Sequence, residues 1–511
     1  LPMQYILVLI LLATMPCIHA QPLYGNEWIN HNQKYVRIPI VKTGFYKLPF
    51  SQLSKLGIDP DTLVDIHFQL FRNGKQIPIG LTYNAKKLTN SFITFYAECI
   101  DGRSDTTLYV SPDLLPHTFY NLYSDTASYY LTWNAKDENK RIPLKSQKTH
   151  QTEITTTYIE EELQLFNSFY ATGKFYPPGS NFQTGLVLSA YDVGEGWTGP
   201  MLTLQDAGHF QVKLKEAKSE KISDCHTQVY LQGRDAGNHK FEIWVIKDGV
   251  QYRKLATYSI LNYNNLILQL NFLPTDIQSD QTVHIDVLPV NNKAKFSVSA
   301  IVWKYPRLFK KDTTALQKIF FWDTTYIGKI WENISNSNHD FYDCTDPFAV
   351  EKFEHPQDGF RIDKPLRLLE VKEYLTAQNL QLLHFTPINP TTVDYLIITH
   401  PTLRVAAKDP VQAYANYRAS KIGGGYKPFI IHSQDIFHQF NYGQPGPNGI
   451  RNIIRWLHDQ GNLKFVLLIG TSLDPQKSRR LPTDLDMIPN AGWPGSDLAL
   501  AMPIGLTADD F

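Results

Sequence analysis

The sequence predicts a multidomain protein in which two β-rich, sandwich-like modules precede the first half of an α/β domain built on a parallel sheet. Two observations lead to this prediction. Before residue 304, short runs of β-forming residues alternate with turn signals. Between residues 394 and 470, three short runs are apolar on both faces and are separated by helical runs of about 12 to 16 residues. Such a pattern is typical of parallel strands covered by crossover helices.

Length and composition set the broad class. The 511 residues predict about three or four domains, and 43% of them are hydrophobic, which is enough for ordinary cores. Aromatic residues make up 13%, which favours extensive β-structure because flat rings pack well on pleated faces. Lysine plus arginine equals aspartate plus glutamate at 49 each, so no overall field recruits nucleic acid or an anionic membrane surface. We expect no nucleic-acid partner.

The first 20 residues have the pattern of a secretory signal peptide. Residues 5–15 form an apolar run that is too short to span a bilayer as a helix. We expect cleavage after Ala20, and no lipidation because no small residue precedes Cys17. The usual positive charges are missing, and two residues precede Met3, so the true start is expected at Met3 or upstream. The alternative is a buried strand near the start.

Cysteine usage indicates neither a disulfide framework nor a metal site. Three cysteines remain after such a cleavage, and they are Cys99, Cys225 and Cys344. Cys344 follows His339 by five residues, which could be read as a catalytic pair. No predicted element fixes the two side chains in one geometry, so we expect a small buried thiol instead. No cofactor and no metal site are predicted.

The two β-rich modules are predicted at residues 21–134 and 155–304. In the first, Asn73 and Gly74 form a hairpin signal between two runs of β-formers. In the second, seven runs of β-formers recur with turns between them, a spacing typical of a sandwich. These runs are at residues 208–214, 228–233, 240–247, 253–260, 266–272, 282–287 and 296–303. Residues 155–165 are expected to be helical in part.

Two loops of the second module invite a functional interpretation. Residues 191–197 combine aromatic rings with Asp192 and Glu195 and could line a carbohydrate or calcium site. Two carboxylates fall short of the six or more oxygens that calcium prefers, so we expect a solvated sandwich loop. Residues 233–237 lack the third glycine and the strand–loop–helix setting of a dinucleotide-binding fingerprint, and they predict a turn.

A linker region is predicted at residues 305–390, followed by the α/β domain from residue 391. Its strands are expected at residues 394–400, 426–432 and 464–470, with helices at 406–421 and 449–460. Three strands and two helices do not complete such a domain, so we expect the sequence to end inside it at residue 511.

Function in such a sheet is usually located where the strands end. At this edge the candidates are His400, Gly470 and, in the loop that follows the third strand, Ser496 and Asp497. Their default interpretations are structural. We expect a hydrogen-bonded strand-end histidine, a glycine in a tight turn, and a carboxylate that caps backbone N–H groups.

Several motifs of the α/β segment resemble the gingipain-type (C25) cysteine peptidases. They are DYLIIT at 394–399, the Ala- and Tyr-rich helix before Gly425 and Tyr426, QFNYG at 439–443, PNGIR at 447–451, KFVLLIG at 464–470 and IPNAGWPGSD at 488–497. Within that family they are most similar to the PorU-type sortases of the type IX secretion system of Bacteroidetes. YGNEWI at 24–29, KTGFY at 42–46, YSDTA at 123–127 and LTW at 131–133 are similar to the β-rich front half of these sortases.

The resemblance implies a caspase-like sheet with a catalytic histidine and cysteine on loops after later strands. In the family the thiolate attacks the peptide carbonyl, the histidine moves the proton, and backbone N–H groups hold the oxyanion. The two residues belong to a Gly-His-Gly and an Ala-Cys segment, and neither segment occurs before Phe511. We therefore assign no catalytic residue in this sequence and expect the chain up to Phe511 to be inactive.

The leading hypothesis is a secreted cysteine peptidase that cleaves C-terminal signals of exported proteins at the outer membrane surface or in the periplasm. The implied partners are exported substrates and an outer-membrane shuttle protein, with membrane association only through such partners. One alternative is a non-catalytic surface scaffold that keeps the fold. Another is a carbohydrate-binding adhesin that uses the second module.

Overall fold

The computed structural model describes the chain in twelve segments. They are residues 24–59, 67–84, 90–134, 139–146, 153–176, 186–187, 191–217, 225–310, 315–331, 339–354, 359–481 and 485–501. The expected signal peptide at residues 1–20 lies outside these segments. The described chain is mostly β-structure arranged in several sheets, with few helices. Within these segments no helix is both long and apolar enough to cross a membrane.

Thirty-three strands are defined within the described segments and are numbered in chain order. The first module contains β1 (Tyr35–Ile40), β2 (Gly44–Pro49), β3 (His67–Arg72), β4 (Lys75–Ile77), β5 (Gly80–Thr82), β6 (Phe92–Ala97) and β7 (Ala127–Asn134). Next come β8 (Leu144–Lys145), β9 (Ile154–Thr155), β10 (Thr157–Leu165), β11 (Phe169–Thr172), β12 (Phe175–Tyr176), β13 (Leu186–Val187), β14 (Glu195–Thr198) and β15 (Met201–Leu202). The second module continues with β16 (Gly208–Lys213), β17 (His226–Gly233), β18 (Asn238–Lys247), β19 (Val250–Leu261), β20 (Asn265–Asn271), β21 (Thr282–Pro289) and β22 (Phe296–Leu308).

The remaining strands lie after β22. They are β23 (Gln317–Trp322), β24 (Ile330–Trp331), β25 (Asp340–Asp343), β26 (Glu351–Phe353), β27 (Phe360–Arg361), β28 (Leu366–Val371), β29 (Leu375–Thr376), β30 (Gln381–Leu383), β31 (Tyr395–Thr399), β32 (Pro428–His432) and β33 (Phe465–Ile469). The α-helices are α1 (Phe50–Ser54), α2 (Pro410–Ala419), α3 (Ser433–Phe440), α4 (Pro447–Gln460), α5 (Pro475–Ser478) and α6 (Leu498–Ala501). Short 3-10 turns join several of these elements.

The first module packs two sheets face to face, in the orders β30-β1-β7-β3-β4 and β29-β2-β6-β5. Their shared core contains apolar side chains such as Val36, Leu48 and Phe68. Asn73 and Gly74 have φ of 46° and 73° and join β3 to β4, which confirms the predicted hairpin. Strands β29 and β30 come from far along the chain, so the module extends beyond its predicted residues.

The second module also contains two large sheets. One is a ten-stranded sheet in the order β20-β17-β22-β10-β23-β28-β25-β26-β8, with β15 beside β22, and the other has the order β16-β21-β18-β19. All seven predicted runs in this module are strands. The core between the sheets includes Val229, Phe241, Ile285 and Trp303.

The expectation of partial helix at residues 155–165 is wrong. Residues Thr157–Leu165 form β10, which pairs antiparallel with β22 from Thr157 opposite Leu308 to Leu165 opposite Ala300. The run contains three consecutive glutamates, which favour a helix in isolation. Pairing along a long neighbouring strand overrides this weak local preference.

The structure also corrects the interpretation of residues 305–390 as a linker. This stretch supplies β23 to β30, and β23, β25, β26 and β28 extend the ten-stranded sheet. An aromatic core that includes Phe320, Trp322, Trp331 and Phe360 holds it together. The strands are short, and prolines and charged residues interrupt them. The sequence therefore shows no long run of β-formers there.

The C-terminal segment forms a three-stranded parallel sheet in the order β32-β31-β33. All three predicted strands are present, and α2 and α4 correspond to the two predicted helices. Helix α2 starts at Pro410, where the Asp409 carboxylate accepts hydrogen bonds from the N–H groups of Val411 and Gln412, both at 3.0 Å. Helix α3 begins at the residue after β32 and was not predicted.

The two faces of this sheet are covered by different helices. Helices α3 and α4 pack on one face through residues such as Ile436, Ile453 and Leu457, and α2 covers the other through Val411 and Ala415. Strand β31 is buried along its whole length, whereas β33 is half-buried or exposed along its whole length. Among the described strands, β33 pairs with β31 alone.

Candidate functional site

A cavity of about 390 Å³ lies at the edge of the parallel sheet where its strands end. We call it the edge cavity. Its wall from the α/β segment includes His400, Ser433 and Asp486, and its wall from the first module includes Arg37, Tyr123 and Thr126. It thus combines the position at which parallel sheets usually bind ligands with polar groups from two parts of the chain.

His400 follows β31 directly and is 5% exposed. Its Nδ1 is 2.8 Å from the Thr402 hydroxyl, and its Nε2 is 3.1 Å from the Gln434 side-chain amide. The ring also accepts a hydrogen bond from the Thr402 N–H, which caps the 3-10 turn at Pro401–Arg404. His400 therefore lines the edge cavity as a hydrogen-bonded strand-end histidine, the structural role expected for it.

Asp486 is the acidic group of the edge cavity. One carboxylate oxygen accepts a hydrogen bond from the Leu473 N–H at 3.0 Å, and the other accepts one from the Ser478 hydroxyl at 2.6 Å. Burial raises the pKa of Asp486 and is the largest of the effects that act on this pKa. The carboxyl group thereby connects residue 486 to Leu473 and to the end of α5. Asp486 lines the edge cavity and was not among the candidates predicted from the sequence.

Two buried hydroxyls at the strand ends have no hydrogen-bond partner within the described structure. They are the side chains of Thr399, the last residue of β31, and Ser433, the first residue of α3. Ser433 is 1% exposed and lines the edge cavity. A buried polar group without a partner is costly and is an expected feature of a ligand site.

Gly470 lies at the end of β33 but does not line the edge cavity. A Cβ atom on it would lie 2.9 Å from Met487 Cβ and from Ile488 Cγ1, so the glycine permits close approach of the returning loop. Ser496 forms a bridge with Ala491. Asp497 is exposed, and its main-chain carbonyl accepts a hydrogen bond from the Leu500 N–H. Neither Ser496 nor Asp497 lines the edge cavity.

The loop after β33 is fastened to both β-rich modules. Arg479 stacks on the ring of Tyr120, 4.0 Å from its centroid, and forms an ion pair with Asp125. Arg480 donates a hydrogen bond to the Ser168 carbonyl at 2.6 Å. These contacts hold the loop after β33, which forms part of the cavity wall, against the two β-rich modules.

The expectation of a solvated loop at residues 191–197 is wrong. Tyr191, Glu195 and Trp197 are buried in one cluster with Tyr123 and with Ala491 of the loop after β33. The hydroxyls of Tyr123 and Tyr191 are hydrogen-bonded to each other. This burial depends on a segment about 300 residues away in sequence, which no local pattern reveals.

Glu195 is fully buried at the centre of this cluster. One of its carboxylate oxygens accepts a hydrogen bond from the Tyr170 hydroxyl at 2.6 Å. Burial raises the pKa of Glu195 well above its ordinary value, so the neutral acid is favoured. Among the described residues no group of three or more His, Cys, Asp or Glu side chains is arranged to hold a metal ion.

None of the cysteines in the described segments lines the edge cavity. Cys344 is 1% exposed in an apolar cluster, as expected, and His339 pairs with Glu370 at 2.7 Å rather than with the thiol. Burial raises the pKa of Cys225 to about 12 and that of Cys344 well above its usual value. Thiols of this kind are poor nucleophiles near neutral pH because the thiolate is scarce.

Residues 388–510 match the family model described as "Peptidase family C25". The matched residues coincide with the parallel sheet, its helices and the loop after β33. Curated protein sequences give no match to the chain.

Among solved structures, dimeric latent PorU from Porphyromonas gingivalis matches with a TM-score of 0.54 and 13% sequence identity. The match covers 85% of this chain and 41% of that one, so this chain shares the fold of less than half of PorU's length. A carbohydrate-binding CBM36-1 domain of a xylanase from the hindgut metagenome of Trinervitermes trinervoides is similar over 28% of this chain and 96% of its own. Its identity is 9% and its TM-score of 0.17 supports no argument.

Proposed function

We propose that the protein acts as a cysteine-type endopeptidase of the PorU-like sortase kind, because residues 388–510 match the model of peptidase family C25. In this proposal a thiolate attacks the carbonyl carbon of the scissile peptide bond and forms a thioester. A histidine transfers a proton to the departing amine. Backbone N–H groups hold the oxyanion of the intermediate.

The observation that supports this proposal is the coincidence of the family match with the edge cavity. The matched segment supplies His400, Ser433 and Asp486 to the cavity, at the edge of the sheet where α/β enzymes usually bind their ligands. The described cysteines do not reach it. We therefore propose that the reactive cysteine and its histidine are supplied by residues after Phe511, on loops that meet this same edge.

The outer strand of the sheet fits this arrangement. Phe465 and Val466 of β33 are 44% and 36% exposed, although the strand contains only apolar residues. An exposed apolar edge strand promotes association unless another element covers it. A further strand of the same domain, paired with β33, would remove this exposure.

We further propose that the protein is secreted and serves the type IX secretion system at the outer membrane surface or in the periplasm. There it would cleave C-terminal signals of exported proteins and pass the acyl group to water or to an amine. Exported proteins are the proposed substrates, and an outer-membrane shuttle protein is a proposed partner. These assignments rest on the resemblance to PorU-type sortases.

A carbohydrate-binding function is less well supported. The aromatic loop at residues 191–197 is the part of the second module that could line a carbohydrate site, and its Tyr191 and Trp197 are 0% and 4% exposed. Rings that are covered by the protein's own loop cannot stack on a sugar. A non-catalytic scaffold with the same fold is the remaining alternative, and the following experiment separates it from a peptidase.

The test is labelling by a peptide that carries a thiol-reactive acyloxymethyl ketone. We expect the product of the complete reading frame to be labelled stoichiometrically at one cysteine, and a serine at that position to abolish labelling. A chain that ends at Phe511 is the matched control, and both proteins carry Cys99→Ser to remove the partly exposed thiol. The control should not be labelled at Cys225 or Cys344, because both thiols are buried. Absence of labelling in the product of the complete reading frame would contradict the peptidase and favour the non-catalytic scaffold.

A further inference from the structure

The edge cavity contains a guanidinium group without an acidic partner in the described chain. Arg37 extends from β1, where its Nε donates to the Ser128 hydroxyl at 2.9 Å and its Nη1 donates to the Gln381 side-chain oxygen at 3.1 Å. No carboxylate of the described chain forms an ion pair with it. Arginine has five N–H donors, so most of its hydrogen-bonding capacity stays available to the cavity.

Partial burial makes this arrangement costly without a ligand. Removal of water from a cation is unfavourable unless an opposite charge or good acceptors replace the water. Burial is the largest effect on Arg37 and lowers its pKa, as expected for a cation with neutral neighbours. Arginine in such a setting pairs well with a carboxylate because its planar donors match both oxygens.

A second feature, on the wall of the edge cavity that the α/β segment supplies, also favours an anion. Helix α3 begins at Ser433, its preceding residue His432 makes no side-chain cap, and the Ser433 hydroxyl is buried without a partner in the described structure. The first N–H groups of a helix carry a partial positive charge and bind anions. Asp435 in the same turn pairs with His432 and lines a different cavity, so it does not fill this position.

The other titratable groups of the cavity do not neutralise Arg37. The Asp486 carboxylate is hydrogen-bonded at both oxygens to Leu473 and Ser478. His438 has its Nδ1 2.9 Å from the Tyr130 hydroxyl, and burial lowers its pKa to about 3, so it is neutral. His400 is held by its two side-chain neighbours. The rest of the lining combines uncharged polar side chains such as Thr126 and Gln434 with Phe437 and two prolines.

We propose that the edge cavity binds a carboxylate of the peptide substrate, held by the Arg37 guanidinium, the Ser433 hydroxyl and the first turn of α3. The carboxylate belongs either to an acidic side chain or to the end of a peptide chain. At about 390 Å³, the cavity has the size of ordinary small-ligand sites. This inference rests on the proposed function only in taking the ligand to be a peptide.

The test is isothermal titration calorimetry of the full chain with three tripeptides and with inorganic phosphate. One peptide, acetyl-Ala-Glu-Ala-amide, has a side-chain carboxylate, and a second, acetyl-Ala-Ala-Ala, ends in a free carboxylate. The third, acetyl-Ala-Gln-Ala-amide, is neutral. We expect one of the two acidic peptides to bind about tenfold or more tightly than the neutral one, since hydrogen bonds to charged groups contribute about 1.5 to 3 kcal/mol. The peptide that binds identifies the source of the carboxylate.

Variants test whether this preference comes from the edge cavity. Arg37→Met should lower the affinity of the preferred peptide by about tenfold or more, and Ser433→Ala should lower it by a smaller factor. Arg234→Met is the matched control, because the Arg234 guanidinium also donates to a serine hydroxyl, that of Ser297, and lies in the second module. If Arg37→Met does not fold, Arg37→Lys and Ser433→Ala provide the comparison.

Several results would overturn the proposal. They are equal binding of acidic and neutral peptides, unchanged affinity in Arg37→Met, and binding of phosphate without either acidic peptide. Binding is measured without turnover, so its outcome is separate from the thiol-labelling experiment. If the peptides show no preference for a carboxylate but the thiol is labelled, only the carboxylate site is refuted. If the thiol is not labelled, the proposed peptidase function is refuted.

Discussion

The hydroxyl of Tyr123 donates a hydrogen bond to the main-chain carbonyl of Asn490, 2.9 Å away. Tyr123 belongs to the first β-rich module, and Asn490 belongs to the loop that follows the parallel sheet. The same tyrosine lines the edge cavity. The position of one cavity wall relative to the other thus depends on this contact between distant parts of the chain.

Replacing Tyr123 by phenylalanine should lower the free energy of unfolding by about 1 to 3 kcal/mol, because the Asn490 carbonyl and the Tyr191 hydroxyl each lose a hydrogen-bond partner. Urea denaturation measures the change. Tyr252→Phe is a suitable control, since the Tyr252 ring is 47% exposed and phenylalanine keeps its contact with Lys247. Equal losses in the two variants would mean that the Tyr123 hydroxyl has no special role.

The raised pKa of the buried Glu195 should make the stability of the protein depend on pH. Its folded-state pKa lies above the ordinary value of 4.5, so the folded state holds the proton more tightly than the unfolded state does. The stabilisation of the folded state by the protonated Glu195 is therefore complete below pH 4.5. It is lost as the pH rises through the folded-state pKa. Within that window the loss is about 1.4 kcal/mol per pH unit.

Glu195→Gln should remove this part of the pH dependence, because glutamine stays neutral and can still accept the hydrogen bond from Tyr170. Urea titrations at pH 4.5, 6 and 7.5 give the comparison. Glu373→Gln, at an exposed position, serves as the control and should follow the parent protein. Parallel profiles for the parent and Glu195→Gln would show that Glu195 ionises freely.

The three cysteines of the described segments should differ in reactivity. Cys99 is only partly buried, whereas Cys225 and Cys344 are buried and have raised pKa values. Native alkylation with iodoacetamide, followed by peptide mass mapping, should modify Cys99 about tenfold or more faster than the other two. All three should react at similar rates in urea. Rapid native modification of Cys344 would contradict its placement in the core.

The exposed edge of β33 should promote self-association of the chain that ends at Phe511. Val466→Lys should reduce it, because a charged side chain at a strand edge disfavours pairing with another chain. Sedimentation velocity over a range of concentrations measures the effect. Val405→Lys changes a valine that is 82% exposed in a loop, and this control should leave association unchanged.

The sequence pattern was most informative where the local residue preferences are strong. The three parallel strands were predicted because their residues are apolar throughout, and the Asn73–Gly74 turn was predicted because a type I′ turn needs positive φ at both positions. Helix α3 was missed because its 8 residues follow β32 without a connecting loop. The eight strands after β22 were missed because they are short and are interrupted by prolines and charges.

The candidate site was only partly predictable for the same reason. His400 was found because it follows a buried strand. Arg37 was not found, since in an alternating strand such as β1 an arginine is expected on the solvent-facing side. Asp486 lies in a loop and had no strand or helix pattern to mark it. The edge cavity requires all three, and only the folded chain brings them together.

The pairing of Tyr35 in β1 with Leu383 in β30 has a consequence for biosynthesis. A ribosome completes the entire second module before it adds the strand that finishes the first sheet. The nascent chain therefore carries an unpaired sheet edge until β30 has been synthesised, and forming a contact between residues so distant in sequence is slow. A chaperone that binds the nascent chain would therefore be needed until β30 has left the ribosome.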